Sequence, residues 1–354
     1  MFCRNNVFTR RREQGADAPV TISGRDVLNP GAAPLSGYSM IDLRPVLLSL
    51  ALILPLAGAR AAVLEAGEGK PFAKPSDAFA KMKDGDTVRI SPGLYEDCGR
   101  IDKNRVTIEA AGGEVVLKGK ACAGKGILVI SGAKVTIRGL TLAYARVLDR
   151  NGAGIRAEGA DLLVEKTTFL HNENGIMSAA GPTMSIRVVD SVFIGNGQCQ
   201  PECAHGIYAG HIKLLRVERS KFLEQHEGHH IKSRANRTEI IGCDIQDGPM
   251  GNASYLIDIP NGGSILIENN VLRKGRKTSN RGIAISIGSE GDTNPAGPIL
   301  IQNNDFVNEQ DNFTAFVRNM SQTPARLVAN TITGSARALE GEGTVEKPAT
   351  KAAQ

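Results

Sequence analysis

A short apolar motif recurs eight times between residues 135 and 332, reading VTIRGLTL, LLVEKTTFL, IRVVDSVFI, LLRVERSKFL, TEIIGCDI, ILIENNVL, ILIQNNDFV and ARLVANTI. Each copy is an alternating run, two or three polar residues, and a large apolar residue five positions beyond the central one. The equivalent central positions are Ile137, Val164, Val188, Val217, Ile240, Ile267, Ile301 and Leu327, separated by 27, 24, 29, 23, 27, 34 and 26 residues. Self-similarity at this period marks a solenoid, in which a repeat buries its apolar face only by stacking on its neighbours.

The runs alternate with period two over four to six residues, which is the spacing of strands and not of helices. A second short strand recurs between them as GIRA, GIMS, GIYA, HIKS, LIDI and AISI, so each repeat holds at least two strands with Gly- and Asn-rich turns. The expected fold is all-β: a single-stranded right-handed parallel β-helix with a short N-terminal helical cap. Asn269, Asn270, Asn303, Asn304 and Asn330 fall at corresponding bends, where Asn tolerates left-handed backbone and can ladder its amide between rungs. In KPSDAFAKMKDGDTVRI, Ser76 reads as the N-cap of a helix from Asp77 to Met82 that covers the open end of the solenoid, ahead of a strand around Thr87 to Ile90. The expected divisions are an N-terminal cap and first rung over 62–105, the β-helix over 106–338, and a disordered polar tail over 339–354.

Residues 46–58, VLLSLALILPLAG, lie between Arg44 and Ala59-Arg60-Ala61, the layout of a secretory signal peptide with its small-residue cleavage site. We expect the signal peptide at 40–61, translation from Met40, and a non-native or disordered extension over 1–39. The mature chain is then periplasmic or secreted, with no stable membrane span after cleavage. The formal net charge of +5 includes seven Arg and four acidic residues within 1–61, leaving 35 basic against 33 acidic residues, so bulk charge gives nucleic-acid binding no support. Export permits disulfides, and the expected pairs are Cys98 with Cys122 and Cys199 with Cys203, with Cys243 a buried thiol.

From about 64 to 335 the chain resembles the right-handed parallel β-helix proteins of the pectate-lyase-like superfamily. The resemblance rests on the opening GEGKPFAKPSDAFAKMKDGDTVRISPGLYED and on HGIYAG, GHHIKSR, IDIPNGG and GSEG, which resemble an exported bacterial subfamily. It implies the fold and an extended polysaccharide as partner.

Aligning the second strand on Ile155, Ile176, Ile207, Ile231, Ile257 and Ile285 places those residues inside and the next ones outside, making Tyr208, Lys232 and Asp258 vertical neighbours. Arg234 follows on the same face, His205, His229 and His230 stand at the strand starts, and Asn261 and Glu290 at the ends. All His except His171 fall between 205 and 230, a gathering that a purely structural solenoid does not require.

For β-elimination of a uronate polymer, Arg234 suits the carboxylate with Asn261 as helper, Lys232 or a neutral His such as His229 suits the base, Tyr208 the proton donor, and Asp258 an orienting role. His205, His230 and Glu290 complete the expected substrate contacts. The expected activity is therefore a polysaccharide lyase acting on an acidic polysaccharide. The alternatives are a non-catalytic polysaccharide-binding, export or surface-layer protein, and a glycosidase or epimerase, the glycosidase using Asp258 with Glu290 or Asp244. Structural readings stand beside each residue: Lys232 with Asp258 as a surface ion pair, Tyr208 as an apolar shelf, the His as turn caps. HEGHH at 226–230 has the letters of a zinc motif but a strand context, so no metal site is expected there. Calcium is a candidate cofactor, through Asp244, Asp247 and Asp258.

Overall fold

Each recurrent motif contains two strands joined by a left-handed bend. In the first copy Val135–Arg138 and Thr141–Ala143 flank Gly139 at φ +71°. Lys166, Asp190, Arg219, Gly242, Asn269, Asn303 and Ala329 take the same left-handed conformation in later copies. With the strands of the GIRA series, each rung has three strands, one more than the minimum expected. The bend splits one alternating run into two, which periodicity alone does not register.

The computed structural model describes residues 61–159, 161–200 and 202–347. The expected extension at 1–39 and the signal peptide, apart from Ala61, lie outside the described residues. Successive rungs stack in parallel as three walls of 12, 10 and 10 strands, with a small antiparallel hairpin, Gln198–Cys199 with Cys203–Ala204. The chain is an all-β parallel solenoid. The first wall stacks Ile137, Val164, Val188, Val217, Ile240, Ile267, Ile301 and Leu327 in register, all buried. The second stacks the residues five positions on, where Phe169, Phe193 and Phe222 lie face to face with centroids 4.5 and 4.4 Å apart.

The bends between the first and second walls divide the labour of paired asparagines. Asn269 and Asn303 supply the left-handed backbone, while Asn270, Asn304 and Asn330 turn inward and form a ladder. Asn270 Nδ2 donates to Asn304 Oδ1 at 2.8 Å, and Asn304 Nδ2 to Asn330 Oδ1 at 2.8 Å. Asn304 Nδ2 also donates to the Ile267 carbonyl at 2.9 Å, so the amides satisfy buried backbone groups that the bend would otherwise strand.

A helix, Pro75–Lys81, covers the N-terminal end, but Ser76 is not its N-cap. Lys74 occupies that position with no side-chain cap, Pro75 opens the helix, and the buried Asp97 accepts the Ser76 N–H at 2.8 Å instead. The cap comes from a residue distant in sequence, so the local motif misled. Phe79 of the helix lies against Gly99, where any Cβ would stand 2.4 Å from its ring, and Cys98 is disulfide-bonded to Cys122 beside it. At the other end residues 339–346 of the expected 339–354 tail belong to strands Ala336–Gly341 and Gly343–Glu346, which pair in parallel with the preceding rung, and 348–354 lie outside the described residues. Backbone pairing to that rung does not need apolar side chains, which the polar composition obscured. Among the described residues no helix is long and apolar enough to cross a membrane.

Candidate functional site

The third wall carries the gathered polar residues. Its register pairs Met177 with Tyr208, Tyr208 with Lys232, Lys232 with Asp258 and Asp258 with Ser286, so Tyr208, Lys232 and Asp258 stand on three successive rungs of one wall. The inward partners Ile207, Ile231 and Ile257 are fully buried and fix this orientation, because slipping the register by one residue would reverse both faces.

Arg234 organises the outer surface. Its Nε donates to the Tyr208 hydroxyl at 3.1 Å, and its Nη1 to Asn261 Oδ1 at 2.7 Å. Glu290 takes the remaining fork, with Oε2 2.6 Å from Nη1 and Oε1 3.0 Å from Nη2. Lys232 Nζ lies between two carboxylates, 3.3 Å from Asp258 Oδ2 and 3.2 Å from Glu290 Oε1. Tyr208, Lys232, Arg234, Asn261, Asp258 and Glu290 thus form one connected network.

Beside it runs a ladder of rings. His205 stacks on Tyr208 and on His229, with centroids 5.7 and 4.9 Å apart, and His229 stacks on Tyr255 at 4.8 Å. His205 Nδ1 accepts the His229 N–H at 3.0 Å, and His229 Nδ1 accepts the Tyr255 N–H at 3.2 Å. Backbone donors therefore fix Nδ1 as an acceptor on both rings and leave the proton on Nε2. Burial, followed by the charges of Lys232 and Arg234, pulls His205 down to about 3. Burial and then His205 and Lys232 hold His229 well below its ordinary value. Both are neutral hydrogen-bond donors, and His229 Nε2 points at Asp258 Oδ2 3.5 Å away. This tautomer removes His229 from the role of base.

Three further expectations are corrected. His230 faces inward, 1% exposed, with Nε2 2.9 Å from Asp247 Oδ1, and cannot touch a polymer. The residue before each stacked Ile occupies an interior column, filled by Gly154, Gly175, Gly206, His230, Leu256 and Ala284. That column of glycines and apolar residues was visible in the aligned strands. Asp258 is on the wall but only 2% exposed, beneath Lys232 and His229, so it can orient its neighbours without reaching substrate. Burial pushes its carboxyl up against the opposing pull of Lys232. The proposed calcium ligands do not converge: Asp244 lies on the second wall, Asp247 is buried against His230, and Asp258 belongs to the third. Among the described residues no cluster of three His, Cys, Asp or Glu is arranged to hold a metal.

Tyr255 extends the ring ladder and was missed, although it occupies the position of His229 one rung on. Its neighbour in the ladder is aromatic for the same reason, since both rest on the ring below. The disulfide between Cys199 and Cys203 closes the hairpin that leads into His205, and the Gly228 N–H points at Cys199 Sγ at 3.2 Å. The bridge thereby helps to position the strand starts that carry His205 and His229.

Comparison with solved structures places the architecture. The pectate lyase Pel9A superposes with a TM-score of 0.54 at 14% identity, over 81% of this chain and 77% of that one. The chain shares the β-helix fold of this pectate lyase. An alginate lyase from Paenibacillus sp. str. FPU-7 matches this β-helix at 15% identity over 80% and 99% of the two chains, with a TM-score of 0.38. The pectin methylesterase PemA from Erwinia chrysanthemi matches at 11% identity over 78% and 80%, also with a TM-score of 0.38. No protein-family model matches the β-helix sequence, and no curated protein does.

Proposed function

We propose that the protein is an exported lyase that cleaves an acidic polysaccharide by β-elimination. The observation that carries the reading is the Tyr208 hydroxyl held 3.1 Å from Arg234 Nε, beside Asn261 and Lys232, on a solvent-facing wall. A uronate carboxylate on the Arg234 fork and the Lys232 ammonium has its charge offset, which acidifies the C5–H bond next to it. Lys232, paired to two carboxylates, acts here as a cation and not as the base.

Tyr208 is then the proton carrier. The Arg234 Nε–H donates to its oxygen, and the step starts from the phenolate, whose oxygen takes the C5 proton and becomes the phenol. The C5–H electron pair forms the C4–C5 double bond as the C4–O bond breaks, and Tyr208 returns the proton to the leaving oxygen. The partly exposed rings of His229 and Tyr255 line the path for further sugar contacts, with the buried His205 ring stacked behind His229.

A glycosidase reading needs Asp258 with Glu290 or Asp244 as an acid–base pair. Asp258 is too deeply covered for that. The expression of disulfides and a leader of signal-peptide form supports a periplasmic or extracellular setting, and the pectate lyase with the same fold supports a polymeric substrate at the level of fold analogy.

The test is ultraviolet detection of unsaturated uronate ends when the protein is incubated with a panel of polyuronates. Tyr208→Phe should lower the rate by about 100-fold or more while oligouronate binding persists. Polymer shortened without unsaturated ends, or an undiminished rate in Tyr208→Phe, would overturn the proposal.

A further inference from the structure

The two cations that would receive a substrate carboxylate already hold one. Glu290 places both oxygens on Arg234 and shares Oε1 with Lys232 Nζ, the fork geometry that guanidinium adopts with a carboxylate ligand. The cationic side chains are 14% and 18% exposed, whereas that of Glu290 is 44% exposed. A surface anion thus caps two cations set back in the wall. The lowered carboxyl of Glu290, pulled down by Arg234 and Lys232 against the effect of burial, agrees with a fully charged occupant.

Glu290 arrives from a tight turn on the rung of Ser286, two rungs beyond Lys232. The base of this turn is pinned. Gly288 has φ +75° and a Cβ there would stand 2.6 Å from the Ser321 nitrogen, while the Glu290 N–H donates to the Pro260 carbonyl at 2.8 Å. The tip is open, for Gly291 has no atom within 4 Å of where its Cβ would lie. The exposed Glu290 side chain beside this open tip has solvent on the side away from the cations.

We infer that Glu290 is an internal surrogate for the ligand's anionic group and sets the selectivity of the site. Only a group with two anionic oxygens can replace it on both cations and keep Arg234 paired to a carboxylate. A neutral sugar cannot, since displacing Glu290 would leave the partly buried Arg234 with no carboxylate and Lys232 with Asp258 alone. The identity of the incoming group as a uronate carboxylate rests on the function proposed above; the occupancy of the cations by Glu290 does not.

The experiment has two arms. In the first, calorimetry on a Tyr208→Phe background measures binding of a tetrameric oligogalacturonate with Glu290 present, with Glu290→Gln and with Glu290→Ala. Loss of the competing charge should tighten binding about fivefold, the size expected of a partly exposed ion pair. In the second, with no sugar present, phenylglyoxal modification of Arg234 is followed by peptide mass. It should be faster in both Glu290 variants than in the unsubstituted protein. Equal modification rates, or weaker oligouronate binding in the variants, would overturn the inference, the latter because Glu290 would then be a positioning residue for Arg234. Faster modification with no oligouronate bound by any form would uphold the surrogate and sink the polyuronate reading.

Discussion

His205 and His229 show how a single ring is tuned by where its backbone neighbours point. Each spends Nδ1 on an N–H of the next rung and keeps its proton on Nε2, and burial makes a second proton costly. An unfolded chain takes up those protons as pH falls through about 6.5, whereas the folded chain holds His205 neutral to about 3. Stability from these groups is therefore complete above about pH 6.5 and declines below it, by about 1.4 kcal/mol per pH unit for each proton bound only on unfolding. Asp258 works in the opposite direction at lower pH, since its raised carboxyl retains a proton that the unfolded carboxylate has lost. Urea titrations between pH 7.5 and 5 should show the decline, and His205→Asn, whose amide oxygen can still accept the His229 N–H, should flatten it. An unchanged slope in that variant would mean that His205 is protonated in the folded state. The distinction between His229, on the wall, and His230, in the core beside Asp247, was not legible in a run of two identical letters. It depends on a corner in the strand that breaks strict alternation, and the only trace of that corner was the row of Gly, Leu and Ala at the position of His230.

At the scale of the element, the strands were legible because their apolar columns repeat, and the bends because Asn recurs at them. What repetition concealed was geometry within the motif. VTIRGLTL and its relatives look like one run with an apolar residue five positions on, yet they turn a corner, and the turn is made by a left-handed residue of almost any type, from Gly139 to Lys166 to Ala329. Backbone stacking imposes that conformation, so side-chain preference carries little of it. The inward residue of the pair is different. Replacing Asn304 with Ala strips hydrogen bonds from the Ile267 carbonyl and from Asn270, leaving buried polar groups unmatched, and should cost about 1–3 kcal/mol. Asn303, exposed and left-handed, tolerates Gly within about 0.5 kcal/mol. Denaturant midpoints of the two variants check this, and equal losses would show that the ladder adds nothing beyond the bend itself. The helix cap was misread for the opposite reason: its partner, Asp97, lies 21 residues from Ser76, beyond the reach of any local motif.

A solenoid of this kind is stabilised by contacts between neighbouring rungs, so its ends set how it begins to unravel. The two ends are built differently. At the N-terminal end a helix covers the stack, Phe79 lies on Gly99, and the Cys98–Cys122 disulfide ties the first rungs together across 24 residues. At the other end the last described strands leave Ile332, Ala336, Ala338 and Leu339 only partly buried, and Val345 half exposed. Fraying should therefore start from the C-terminal rungs while the bridge is intact, with the site on the third wall protected by rungs on both sides. Changing Cys98 and Cys122 together to Ser removes a constraint worth about 3 kcal/mol in a loop of this length. In a nearly one-dimensional molecule that loss stays local. Amide hydrogen exchange should accelerate in Gly99–Ile101 and Gly126–Ile130 and leave His229–Ser233 at its original rate. Acceleration spread evenly over all three strands would show that the rungs unfold as one cooperative block, and the site would then owe its rigidity to the whole coil instead of to the rungs that flank it.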